Sequence, residues 1–161
     1  MVCICVAVFL GCNGNAQEPK KAARKEKKEF PVTKSEAEWK ADLDEMEYYV
    51  LREKGTEPRG NNEYNKFYRD GIYVCAACGV KLYQSEHKYD SGSGWPAFDR
   101  GIEANLDYEK DTSAGMIRTE VHCASCGGHL GHVFNDGPKN TTGMRHCINS
   151  AALDFIPAKK Q

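Results

Sequence analysis

Cys147 stands alone among basic and amide residues in Gly143-Met144-Arg145-His146-Cys147-Ile148-Asn149-Ser150. Read as a strand, this stretch sends alternate side chains to opposite faces. Arg145, Cys147 and Asn149 then share one face, and His146, Ile148 and Ser150 the other. A cation and an amide beside a thiol favour the thiolate, the form that acts as a nucleophile; an unassisted cysteine, with a pKa near ~8.5, is mostly protonated at neutral pH. The plainer alternative is a buried cysteine behaving as a small hydrophobe.

Four more cysteines fall into two like units, Cys75-x-x-Cys78-Gly79 and Cys123-x-x-Cys126-Gly127. A two-residue gap lets one tight turn supply two thiolates, and two such turns complete a tetrahedral zinc site with Zn–S bonds of about 2.3 Å. The glycine after each second cysteine permits the positive φ such turns need. Iron accepts the same ligands. Disulfides are the rival, although a CxxC bridge closes a tiny loop and constrains little. Four thiolates would leave the metal no open position, so it would clamp the structure while Cys147 stayed the free thiol.

Two further segments carry groups able to bind or protonate. In His129-Leu130-Gly131-His132-Val133-Phe134 a spacing of three puts the histidines on opposite faces of a regular strand. Gly131 allows a bulge that turns both one way, making them donors around a reacting oxygen rather than unrelated histidines. Ser91-Gly92-Ser93-Gly94-Trp95-Pro96-Ala97-Phe98 is a glycine-rich turn presenting Trp95, either as a core residue or as the wall of an apolar pocket.

The elements that must position these groups are short. Ser35-Glu36-Ala37-Glu38 has the form of a capping box. Trp39, Leu43, Met46 and Val50 then recur at helical spacing up to a stop at Gly55, which predicts one amphipathic helix packed on the domain. Beyond Pro58 the pattern turns to strands: Ile72–Val74, Lys81–Tyr83, Met116–His122, His129–Phe134 and Arg145–Ser150. Short strands without intervening helices predict a mainly β fold, an antiparallel body of two sheets clamped by zinc.

Composition bounds the rest. At 161 residues the chain suits one domain with an extension. Lys+Arg 22 against Asp+Glu 23 gives no electrostatic case for nucleic acid or an anionic membrane surface. Val2 to Leu10 is an apolar run too short to span a membrane, followed by Gly11-Cys12 and Gly14-Asn15-Ala16. It has the form of a signal peptide cut after Ala16, or of a lipoprotein segment acylated at Cys12, although no Lys or Arg precedes it. The expected organisation is an export segment at 1–16, a charged linker at 17–31 and a domain at 32–158, with the mature protein periplasmic or lipid-anchored, or cytoplasmic if 1–16 is not a signal.

Together, Gly94-Trp95-Pro96-Ala97-Phe98, the two CxxC units, His129 to Pro138 and Arg145 to Ser150 strongly resemble the B-type methionine sulfoxide reductases over about Val32 to Phe155. The resemblance implies a compact antiparallel β fold with zinc on Cys75, Cys78, Cys123 and Cys126, remote from the chemistry. It implies reduction of the R epimer of methionine sulfoxide, mainly in oxidised proteins. Cys147 would be the nucleophile and pass through a sulfenic acid. Trp95 would box the substrate's ε-methyl group; His129, His132 and Asn149 would bind and protonate the sulfoxide oxygen; Arg145 would favour the thiolate. Many relatives carry a resolving cysteine where this chain has Ser93, so recycling is expected to use an external thiol such as a thioredoxin-like protein, or an N-terminal cysteine if one is retained. Two other readings compete. A zinc-knuckle binding module leaves Cys147, the histidines and Trp95 unexplained, and a CxxC thiol oxidoreductase requires metal-free, redox-active pairs.

Overall fold

A computed structural model describes residues 28–159. The expected signal segment at 1–16, Cys12 within it and most of the linker at 17–31 lie outside the described residues. Among those described, no helix is long and apolar enough to cross a membrane.

Among the described residues, nine antiparallel strands form two sheets. The smaller has the order β2 (Lys81–Gln84), β1 (Gly71–Cys75), β9 (Leu153–Pro157). The larger runs β3 (Lys88–Tyr89), β4 (Ala97–Phe98), β8 (Arg145–Ile148), β7 (His129–Phe134), β6 (Arg118–Cys123), β5 (Leu106–Asp111). The mainly β, two-sheet expectation therefore holds. β8 lies inside the larger sheet, paired on both sides, so its position is fixed by two ladders of backbone hydrogen bonds.

Aromatic side chains join the sheets. Tyr83 of β2 stacks on Phe98 of β4 with ring centroids 4.4 Å apart, and Tyr73 of β1 meets the same Phe98 edge-on at 5.1 Å. Leu82, Val121, Leu130 and Ile148 fill the space around them, all fully buried. Each such side chain removed from water contributes about 1.5–3 kcal/mol before entropy is counted.

The single amphipathic helix expected before β1 is two helices, α1 (Glu36–Asp42) and α2 (Glu45–Leu51). The Ser35 capping box is present, with Ser35 N donating to Glu38 Oε2 at 2.7 Å. Asp44 repeats the device: its carboxylate accepts from Glu47 N at 2.8 Å while Asp44 N donates to Glu47 Oε2 at 2.9 Å. A second cap starts a second helix, and Leu43 before it is extended (φ −106°, ψ 147°). The break re-aims the apolar stripe. Trp39 and Val50 stay buried, Leu51 joins them, and Met46, expected inside, is 40% exposed.

Candidate active site

The two CxxC turns close the ends of β1 and β6, one in each sheet. Gly79 and Gly127 have φ of 73° and 71°, and their amides donate back to Cys75 O and Cys123 O at 2.7 and 2.8 Å. All four sulfurs lie within 4.8 Å of one another. Cys75 Sγ to Cys126 Sγ is 3.7 Å and Cys78 Sγ to Cys123 Sγ is 3.6 Å. Four Zn–S bonds of about 2.3 Å at tetrahedral angles need sulfurs about 3.8 Å apart. The four cysteines are free thiols, not disulfides, and the cluster fits a metal ion. A metal there would tie the smaller sheet to the larger.

Cys147 sits elsewhere, on β8, in register with Ala97 on one side and His132 on the other. Residues directly opposite in an antiparallel pair share a face, with Cβ atoms about 4.5–5.5 Å apart. His132 is therefore a cross-strand neighbour of the thiol. The expected bulge is present. Val121 and His122 of β6 are consecutive, yet they pair with Gly131 and His129, leaving Leu130 as the extra residue. Both histidines consequently turn to one side, with ring centroids 5.4 Å apart. Gly131 is demanded by close approach: a Cβ there would stand 2.1 Å from Cys147 O.

Carboxylates on β6 and β5 hold both rings. Glu120 Oε1 lies 2.8 Å from His129 Nδ1, and Asp111 Oδ2 lies 2.8 Å from His132 Nε2. Each carboxylate has its own cation. Lys54 Nζ reaches Glu120 Oε2 at 2.7 Å and Arg118 Nη2 reaches Asp111 Oδ2 at 2.6 Å. Burial pushes the Glu120 carboxyl up, but hydrogen bonds from His129 and Lys54 outweigh it and hold it at about 2. Hydrogen bonds from Ser113, His132 and Arg118 hold Asp111 far below the usual carboxylate range. His132 is pushed down by burial, against the pull of Asp111. The two histidines line a cleft of about 520 Å³.

The Trp95 loop crosses the other side of Cys147. Ser93 Oγ is 3.7 Å from Cys147 Sγ and accepts from Ser91 Oγ at 2.8 Å and Trp95 N at 3.5 Å. Trp39 and Trp95 divide the two readings of tryptophan: Trp39 is core, whereas Trp95 is half-buried. The Trp95 indole N–H donates to Glu57 O at 3.2 Å. Glu57 N in turn donates to Asn149 Oδ1 at 3.1 Å, and Asn149 Nδ2 donates to Leu130 O at 3.0 Å. Asn149 thus braces the Trp95 loop against β7 and is itself buried.

Arg145 is paired with an acid. Its guanidinium forms two hydrogen bonds with Asp136, at 2.8 and 2.9 Å, and stacks over Phe134 at 4.3 Å. The same cation favours ionisation of Cys147. Burial pushes Cys147 above the ordinary thiol range, and Ser93 and Arg145 pull the other way without overcoming it.

Glu57, Asp111, Glu120 and Lys54 were not legible as site residues in the sequence. The one local trace was the regular alternation of Arg118 to His122, which put Glu120 on a definite strand face.

The SelR domain model matches residues 43–157, which includes every one of these residues. The chain belongs to the SelR domain family. The chain is similar to relatives named peptide methionine sulfoxide reductase MsrB: one from Bradyrhizobium diazoefficiens is 55% identical over 78% of this chain and 91% of its own length. A second, from Leptospira interrogans, is 52% identical over 78% and 96%. A mouse relative named methionine-R-sulfoxide reductase B3, mitochondrial, is 47% identical over 83% of this chain and 53% of its own. Cys147, the paired histidines and the four-cysteine cluster all fall inside the matched span.

Proposed function

We propose that the protein is a thiol-dependent peptide-methionine (R)-S-oxide reductase that repairs oxidised proteins, with residues 32–158 as its catalytic domain. One observation carries the reading most: Cys147 stands in register with His132 across a central pair of strands, in a chain that belongs to the SelR family.

Sulfoxide sulfur is a poor electrophile until its oxygen is protonated or hydrogen-bonded, so a thiol nucleophile must be paired with acids. Cys147 attacks the sulfoxide sulfur. The S–O bond breaks, the oxygen passes to Cys147 with a proton, and methionine leaves. The substrate sulfur gains two electrons and Cys147 loses two, becoming a sulfenic acid. His129 and His132 serve the oxygen, directly or through water. Asn149 completes the donor set with the amide hydrogen beyond the one Leu130 takes. Trp95, its N–H already satisfied by Glu57, offers an apolar face to the ε-methyl group. Arg145 and the Ser93 hydroxyl favour the attacking thiolate against the burial that opposes it.

An external thiol next attacks the sulfenic sulfur and water leaves. A second thiol breaks the mixed disulfide and restores Cys147. Ser93 at the resolving position supports an external reductant such as a thioredoxin-like protein. Zinc on Cys75, Cys78, Cys123 and Cys126, supported by their spacing, would supply cross-linking of the sheets and no chemistry on substrate. In the same reading residues 1–16 direct export or lipid anchoring at Cys12, on the strength of the short apolar run alone.

The test is a racemic peptide methionine sulfoxide with dithiothreitol and chiral product analysis, wild type beside Cys147→Ser. Loss of the R epimer alone, by wild type alone, is the expected result. Consumption of neither epimer by folded, metal-loaded wild type would contradict it.

A further inference from the structure

His129 is 2% exposed, and its Nε2 has no hydrogen-bond partner among the described residues. Its other ring nitrogen is committed to Glu120, a carboxylate 5% exposed. Leaving a buried ring nitrogen unpaired costs about 1–3 kcal/mol, so such an atom points to a ligand that comes and goes. Since Glu120 is ionised it can only accept, and Nδ1 must carry the proton. That leaves Nε2, on a ring that lines the cleft, as a lone pair when neutral and as a donor when protonated.

Lys54 completes this arrangement at a conformational cost. Its φ of 58° is the only left-handed non-glycine value among the described residues. The position follows helix α2, where glycine is the usual occupant. A lysine is kept there although its backbone resists it, and its ammonium reaches Glu120 Oε2.

We propose that Glu120, held by Lys54, is the positioning residue of the reaction: it fixes the Nδ1–H of His129 and thereby presents Nε2 to the sulfoxide oxygen. This rests on the reading of His129 as an oxygen-binding group. Other charged groups face the same cleft: His132 on β7, Arg118 on β6, Glu109, Lys110 and Asp111 on β5, and Glu53 beside Lys54. Asp111 and Arg118 are paired with each other, so Glu120 and Lys54 are the charges tied most directly to His129.

The tautomer and the rate are read separately. The full chain, metal-loaded, would be labelled with 15N-histidine, and long-range 15N–1H correlation at one fixed pH would report which ring nitrogen of His129 carries the proton, His129→Ala identifying the His129 signals. Wild type should show the proton on Nδ1. Glu120→Ala removes the acceptor; it should mix the two tautomers and slow single-turnover reduction of the R sulfoxide about tenfold or more. Glu120→Gln can still accept from Nδ1 and should restore the wild-type tautomer and most of the rate. Lys54→Gly relieves the backbone and should leave thermal stability unchanged or higher. A His129 proton on Nε2 in wild type, or a tautomer and rate unmoved by Glu120→Ala, would overturn the proposal. If Glu120→Ala fails to fold, the wild-type tautomer decides alone. A His129→Ala protein with a wild-type single-turnover rate would instead overturn the oxygen-binding reading itself.

Discussion

Ser93 Oγ stands 3.7 Å from Cys147 Sγ, so a hydroxyl faces the thiol from the Trp95 loop. Ser91 Oγ and Trp95 N both donate to that oxygen, which leaves the Ser93 proton to point at sulfur. The hydroxyl can stabilise a thiolate but cannot reduce a sulfenic acid. Ser93→Ala should slow alkylation of Cys147 at neutral pH about fivefold, the effect of losing roughly 1 kcal/mol of thiolate stabilisation. Ser93→Cys should convert the product of one turnover into an internal disulfide, read as loss of both labelled thiols. A wild-type labelling pattern from that variant would show that the loop does not hold position 93 against the sulfur.

Asp136 matters for the same thiol from the other side. It neutralises Arg145 and opposes ionisation of Cys147, whereas Arg145 favours it. Asp136→Asn should free the guanidinium and move the pH–rate profile for Cys147 alkylation downward, with a several-fold gain at neutral pH. Wild type, with its thiol raised by burial, should react faster as pH rises through the alkaline range. A profile unmoved by Asp136→Asn would mean that burial alone governs the thiol.

Removal of metal from the four-cysteine cluster should loosen the whole fold, because it joins the ends of β1 and β6 from different sheets. A metal present at a thousand times its Kd contributes about 4 kcal/mol, or a fall in Tm of roughly 10 °C on chelation. One zinc per chain by elemental analysis is expected. A metal-free chain with unchanged Tm would exclude the clamp.

Glu120 also predicts acid sensitivity. Its folded pKa, about 2 against an ordinary 4.5, is depressed. Its contribution is therefore fully present above pH ~4.5 and lost as pH falls toward 2, on the order of 3 kcal/mol. Urea melts of wild type and Glu120→Gln should converge across that window. Parallel stability curves would remove the carboxylate from the account.

What could be read in the sequence was local. The CxxC turns, the Ser35 cap and the Gly131 bulge each depend on residues within a few positions, and each is present in the structure. The break at Asp44 was also written there, as Asp44-x-x-Glu47, but the apolar stripe from Trp39 to Val50 ran across it and hid it. The carboxylates behind the histidines were not legible, because Glu120 and Asp111 reach His129 and His132 only through strand pairing. One among 23 acidic residues carries no mark of its partner. The neutralisation of Arg145 by Asp136 was hidden for the same reason: nine residues and a turn separate them.

The most direct measurement is a single turnover without reductant. Purified protein with excess R sulfoxide peptide should form one methionine per chain and stop, leaving a sulfenic acid on Cys147 that a dimedone probe traps. Continued turnover, a sulfenic acid on another cysteine, or an internal disulfide in place of the trapped adduct would contradict the account.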